Sequence, residues 1–169
     1  REEADSGIIM DMDKSEKKKG GEEYEWGKGF GDESVFKQRV FNLTKGGDAG
    51  GLEELHEKGG WPDVEMAVDS GKGLDGKMWH HSALAIAATY NKIEVVRVLI
   101  TMGAKVNEER EWHGPPSNCL AAGHGRLEVL ELLVKNGCDL ALGTSDGMTP
   151  AHVAADCNHL PILHYLHSS

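Results

Sequence analysis

The chain has 169 residues, with 28 acidic against 18 basic side chains and a formal net charge of −10. That length fits one domain plus a tail. The acidic balance shows no basic face of the kind that meets nucleic acid. No apolar run approaches the roughly 18 residues that a membrane span needs.

Residues 1–33 form a tail rich in Glu, Lys and Gly, with 11 acidic and 6 basic residues. Such a composition buries too little apolar surface to offset the entropy of ordering. Within it Tyr24, Trp26 and Phe30 are spaced by charge and glycine. They read as anchors of an extended docking segment, or as side chains that tuck against the chain's own folded domain. Ile8-Ile9-Met10 is far too short for the core of a secretory signal. The first residue is Arg1, not Met; a removed organelle transit peptide would account for that, as would a start lying further upstream.

From 34 to 60, Val35 to Leu43 has the spacing of an amphipathic helix, and Leu52-Glu53-Glu54-Leu55 fits a second one. Residues 61–77 read as an inserted loop that holds Trp61-Pro62 and Gly71, Gly73 and Gly76. Loops of that length in compact arrays often carry function.

A unit then recurs. Ser82 to Thr89 and Ile93 to Ile100 read as two short helices joined by a turn at Asn91. Gly125 and Gly137 stand 34 residues after Asn91 and Gly103, and Leu127 to Val134 repeats the second helix. A third copy opens at Thr149-Pro150-Ala151-His152-Val153-Ala154-Ala155, 33 residues after Pro116. Val95, Val96, Leu99 and Ile100 share one helix face, as do Val129, Leu130, Leu133 and Val134. Ala87-Ala88, Ala121-Ala122 and Ala154-Ala155 are small enough for close helix approach. Thr149 and Pro150 suit a helix start, and Gly103 and Gly137 suit its end. Self-similarity at this period predicts a solenoid of helix pairs, in which no repeat buries its apolar face alone.

The residues from about Trp79 to Ser169 resemble the ankyrin-repeat family, most closely at Thr149 to Ala155 and at Glu94 to Ala104. The fold expected is all-α: an ankyrin solenoid of about four helix-turn-helix repeats, at 34–60, 78–107, 111–141 and 144–169, with the first degenerate and the last truncated. Residues 34–169 form the repeat domain. The sequence departs from the family where Ser82-Ala83 and Pro116-Ser117 replace Thr-Pro, and where Ala85 and Cys119 replace His. Those departures put the family's inner hydrogen bonds in doubt for two repeats. The last repeat runs to Ser169 with Ile162, Leu163, Tyr165 and Leu166 as its apolar side. Either that helix closes the stack alone or a partner covers the end.

Catalytic signals are missing from the sequence. Gly27-Lys28-Gly29 and Gly71-Lys72-Gly73 lack the spacing of a phosphate loop, no Gly-x-Ser-x-Gly element occurs, and the carboxylates are scattered. No cofactor is expected. His152, Cys157, His159, His164 and His167 crowd the last repeat and open an alternative metal reading. Against it, the resemblance makes His152 the family's inner hydrogen-bonding histidine and leaves the others on the surface. The odd set of Cys119, Cys138 and Cys157 suggests free thiols in a reducing intracellular compartment, the cytoplasm or the interior of a chloroplast or mitochondrion.

The resemblance implies a binding face made of hairpin tips and the outward positions of the first helices. By position the tips are Met78, Trp79 and His81, then Trp112 and His113, then Asp146 and Met148. The helix positions are Thr89, Tyr90, Gly123, His124, Asp156 and Cys157. Tryptophan and methionine are enriched at interfaces, although Trp79 and Trp112 would also serve as packing against the adjoining turns. The expected function is a non-catalytic interaction module, an accessory or scaffold subunit bound in a multi-subunit protein complex through its repeats and tail. A regulatory fragment of a larger enzyme or channel is the alternative.

Overall fold

A computed structural model describes residues 33–58, 68–72, 78–107 and 114–168, with the backbone alone for 68–72 and 78–80. Helices pair along the chain: α1 (Glu33–Gly46) with α2 (Ala49–Glu57), α3 (Ala83–Thr89) with α4 (Ile93–Thr101), α5 (Ser117–Gly123) with α6 (Leu127–Lys135), and α7 (Pro150–Asp156) with α8 (Leu160–Ser168). The odd-numbered helices pack in sequence, α1 on α3 on α5 on α7, and form an inner layer. Behind them α2, α4 and α6 form an outer layer in the same order. The helical solenoid expected from the sequence is thus the architecture found.

Small side chains explain the inner layer. All six residues from Ala83 to Ala88 are buried, and Ala121 and Ala122 take the same place one repeat later. With little beyond Cβ at Ala83, Ala85, Ala87, Ala88, Ala121 and Ala122, α3 packs on α5 and α5 on α7. The outer helices supply bulk: Leu52, Leu55, Val95, Val96, Leu99, Val129, Leu130 and Leu133 are fully buried between the layers. One continuous core therefore runs through the stack, each repeat covering its neighbour.

The inner helices stop at one backbone device. Gly47, Asn91, Gly125 and Asn158 stand at matching positions with φ of 84°, 56°, 70° and 59°. Glycine and asparagine are the residues that enter this left-handed region most readily. The turn closes with Lys92 N–H donating to Ala87 O (2.9 Å), Arg126 N–H to Ala121 O (2.8 Å) and His159 N–H to Ala154 O (2.8 Å).

The segment 61–77 is not wholly a loop. Strand β1 (Val68–Lys72) pairs antiparallel with β2 (Met78–His81), with Val68 opposite His81 and Lys72 opposite Met78. The register shifts between Asp69 and Gly71, which places a bulge at Ser70. Strands of five and four residues are too short to show an alternation, and Gly71 masked the first of them. The hairpin packs on α1 and ends beside α3, outside the helical core.

Candidate functional site

The inner hydrogen bonds in doubt are made by other means. Ser82 caps α3, its Oγ accepting from Ala85 N–H at 3.0 Å. At α5, Pro116 offers no capping side chain, and the fully buried Asn118 takes over. Its Nδ2 donates to Asp139 O (3.2 Å) and Leu142 O (3.0 Å), and its Oδ1 accepts from Cys119 N–H (2.7 Å). The Cys119 thiol points at Met148 O, 3.5 Å away. These bonds tie α5 to the turn that enters the next repeat. Burial pushes the Cys119 thiol up to about 11 from an ordinary 9.0.

In the last repeat, Thr149 N–H donates to His152 Nδ1 (3.2 Å), and the Thr149 hydroxyl lies 2.9 Å from the same nitrogen. His152 thus engages its own helix start, but its side chain is exposed rather than inner. His159, read as a surface residue, is half-buried instead. Its Nε2 lies 3.0 Å from Gly123 O; a carbonyl only accepts, so Nε2 carries the proton. One repeat earlier Arg126, at the matching position, donates from Nε to Thr89 O at 3.3 Å. Both carbonyls end an inner helix, where the helix dipole favours a donor or a cation. Lys92, one repeat earlier again, lays its aliphatic chain over Gly47. Three basic residues at one repeat position carried the sequence signal for this ladder.

Next to that ladder lies an exposed row. Tyr90, His124 and Cys157 each follow the last residue of an inner helix, one per repeat, and all three are exposed. Neighbouring packed helices sit about 8–10 Å apart, so the row offers a side chain at that interval. The His124 ring is held by Nδ1–H donating to Leu120 O at 2.9 Å. Lys45 from α1 extends the row: its Nζ lies 5.0 Å from the Tyr90 ring centroid and 5.6 Å from that of Phe41, within cation–π range. Lys45 carries no mark of this place in the sequence, because α1 and α3 share no visible repeat register.

The tips divide. Thr144 to Gly147 form a tight turn, with Gly147 N–H donating to Thr144 O at 2.9 Å and Gly147 at φ 81°. Asp146 is exposed at its apex, while Met148 is half-buried and its carbonyl accepts from Thr144 N–H at 2.9 Å. His81 is half-buried at the end of β2. Met78 and Trp79 lie on β2, backbone only, with Trp79 opposite Gly71. Tyr24, Trp26, Phe30, Trp112 and His113 lie outside the described residues. The row and the described tips share the stack as scaffold, since β2 leads into α3 and the Thr144 turn into α7.

Among the described residues, no group of three or more His, Cys, Asp or Glu side chains is placed to hold a metal ion. No described helix is long and apolar enough to cross a membrane. Cys119 and Cys138 are buried free thiols and Cys157 is an exposed one.

Comparison with known proteins follows the repeats. The chain is 33% identical over 85 residues to the ankyrin repeat and KH domain-containing protein mask-1 of Caenorhabditis elegans, half of this chain and 3% of that protein. It is 29% identical over 110 residues to the E3 ubiquitin-protein ligase KEG of Arabidopsis thaliana, 64% of this chain and 7% of that one. A putative ankyrin repeat protein of Rickettsia felis is 28% identical over 94 residues, 56% of this chain and 49% of the relative. The chain therefore spans half or less of the length of each of these relatives. A family model described as ankyrin repeats (3 copies) matches residues 84–169, half of the chain, over the helices from α3 to α8. Matched in this way across its last three helix pairs, the chain belongs to the ankyrin-repeat family.

Proposed function

We propose that the chain is a non-catalytic accessory or scaffold subunit that holds a protein partner on the exposed row Tyr90–His124–Cys157 and the adjoining tips. Ankyrin-repeat domains are generally protein–protein interaction modules, so the proposal concerns where and how this one binds. The carrying observation is the contrast at the end of α3. Ala83 to Ala88 are all buried, yet Tyr90, two residues on, is 40% exposed. An exposed aromatic on a rigid base loses little entropy on binding, which is what a hot spot needs. Trp79, on β2 ahead of α3, and Trp112, five residues before α5 in the sequence, are assigned to the same proposed surface.

Site-specific photo-crosslinking in the host cell tests this reading. A photoreactive residue at Tyr90 or His124 should capture one discrete protein, while the same probe at Glu131 on the outer layer should not. Equal capture from both layers would overturn the assignment. A second reading is that the stack regulates a larger enzyme of which it is part. The length of the relatives favours it, an E3 ubiquitin-protein ligase among them, of which the chain covers 7%.

A further inference from the structure

The pitch of the exposed row limits the shape of what can lie along it. Tyr90, His124 and Cys157 recur once per repeat, at the spacing of packed helices, about 8–10 Å. An extended β-strand returns a side chain to the same side about every 6.6 Å, which falls out of step within one repeat. An α-helix lays a continuous apolar stripe into a groove, whereas the row offers one exposed side chain per repeat. A polyproline II helix has about three residues per turn and rises about 3.1 Å per residue, so every third residue stands on one side at about 9.3 Å. That interval is the pitch of the row.

The two ends of the row differ in charge. At the α1 end Lys45 is exposed, with its Nζ 5.0 Å from the Tyr90 ring centroid. Lys92 adds a second positive charge over Gly47. The Asp48 carboxylate nearby is turned to the start of α2, where it accepts from Gly51 N–H at 2.9 Å. At the α7 end the exposed Asp156 stands beside Cys157. Of the acids that open α4 and α6, Glu94 lies 3.6 Å from Arg97, and Glu128 falls between the two ends.

We propose that the row takes a proline-rich segment of its protein partner in the polyproline II conformation, with contacts at every third residue, an acidic side chain towards Lys45 and a basic one towards Asp156. This rests on the row being the binding surface and adds the chemistry of its occupant. From Tyr90 to Cys157 the stack advances two repeats, about 16–20 Å, and six steps of polyproline II advance about 19 Å. Prolines at the first two contacts lie on the Tyr90 and His124 rings, and aromatic surfaces are what such segments dock on. The His124 ring is already fixed by its bond to Leu120 O. The segment makes no hydrogen bonds within itself, so a carbonyl is open to the Tyr90 hydroxyl. Being preformed, it also loses little entropy on docking.

Nuclear magnetic resonance on the isotope-labelled full chain tests this with a synthetic peptide. The peptide opens on Asp, carries two prolines three residues apart and closes on Lys three residues later. It should shift the amides of residues 89–91, 123–125 and 156–158, with a dissociation constant of about 1 mM or tighter. A peptide with its prolines four residues apart should bind the unaltered chain about threefold more weakly or worse. Asp156→Lys, at an exposed position, should weaken the first peptide by about threefold, and a peptide closing on Glu should recover the loss. No shifts at millimolar excess, shifts elsewhere on the stack, or equal binding of both proline spacings would overturn the proposal. Binding indifferent to the charge exchange would do the same. Crosslinking from Tyr90 and His124 judges the row separately. A partner captured there through a helical segment keeps the row and overturns the polyproline assignment, whereas equal capture from both layers removes the row itself.

Discussion

At Gly125 the chain needs a residue without a side chain for two reasons at once. Its φ is 70°, and a Cβ there would stand 2.9 Å from the His159 ring that reaches back to Gly123. Gly125→Ala should therefore cost about 1–3 kcal/mol, through backbone strain and a displaced ring. Asn91→Gly, at the matching turn, should move stability by only a few tenths of a kcal/mol. Urea midpoints of the two variants check both values. Cys119 gives the clearest dependence on pH. Its thiol is raised from 9.0 to about 11 by burial, so the folded chain favours the neutral form. The unfolded chain ionises first as pH climbs past 9.0, and unfolding then releases a proton. The Cys119 contribution should be intact below pH 9 and lost as pH rises through about 11. Stability of the parent minus that of Cys119→Ala, followed across this range, isolates it from the lysines. At pH 8 a thiol reagent should label the exposed Cys157 well before the buried Cys119 and Cys138.

Helix pairs were legible in the sequence because each carries its own marks. Alanine doublets, the 34-residue recurrence and glycine at the turns state the fold three times over between Ala83 and Ile162. Other elements carried no such redundancy. The β1–β2 hairpin has four paired positions and a bulge, too little for a period of two to register. The row of Tyr90, His124 and Cys157 could be assigned only through the resemblance, whereas the Arg126 and His159 bonds cross between repeats and depend on tertiary register. The same comparison of equivalent positions marks where the stack is weakest. Ala88 and Ala122 are fully buried, but Ala155, their counterpart in α7, is exposed. Leu163 and Leu166 are half-buried where Leu130 and Leu133 are fully buried. With one neighbour instead of two, α7 and α8 should open at lower free energy than α3 to α6. Native-state hydrogen exchange should rank protection in that order. Equal protection in α7–α8 and in the central repeats of the isolated chain would show that the end is covered by something else.

As a whole the molecule sets a packed core apart from an exposed row, the proposed recognition surface. Core and ladder residues, from Leu99 and Leu130 to Asn118 and Arg126, fix each helix pair on the next, while the side chains just past the inner helices face water. Binding on such a surface should be lost without loss of fold, because the row makes few contacts with the core. Once the captured partner is purified, titration of the unaltered chain and of Tyr90→Ala with His124→Ala, by calorimetry, is the most direct test. The account predicts at least about a tenfold loss of affinity, roughly 1.4 kcal/mol, with helical circular dichroism unchanged. Affinity that stays the same while the helical signal is retained would contradict it.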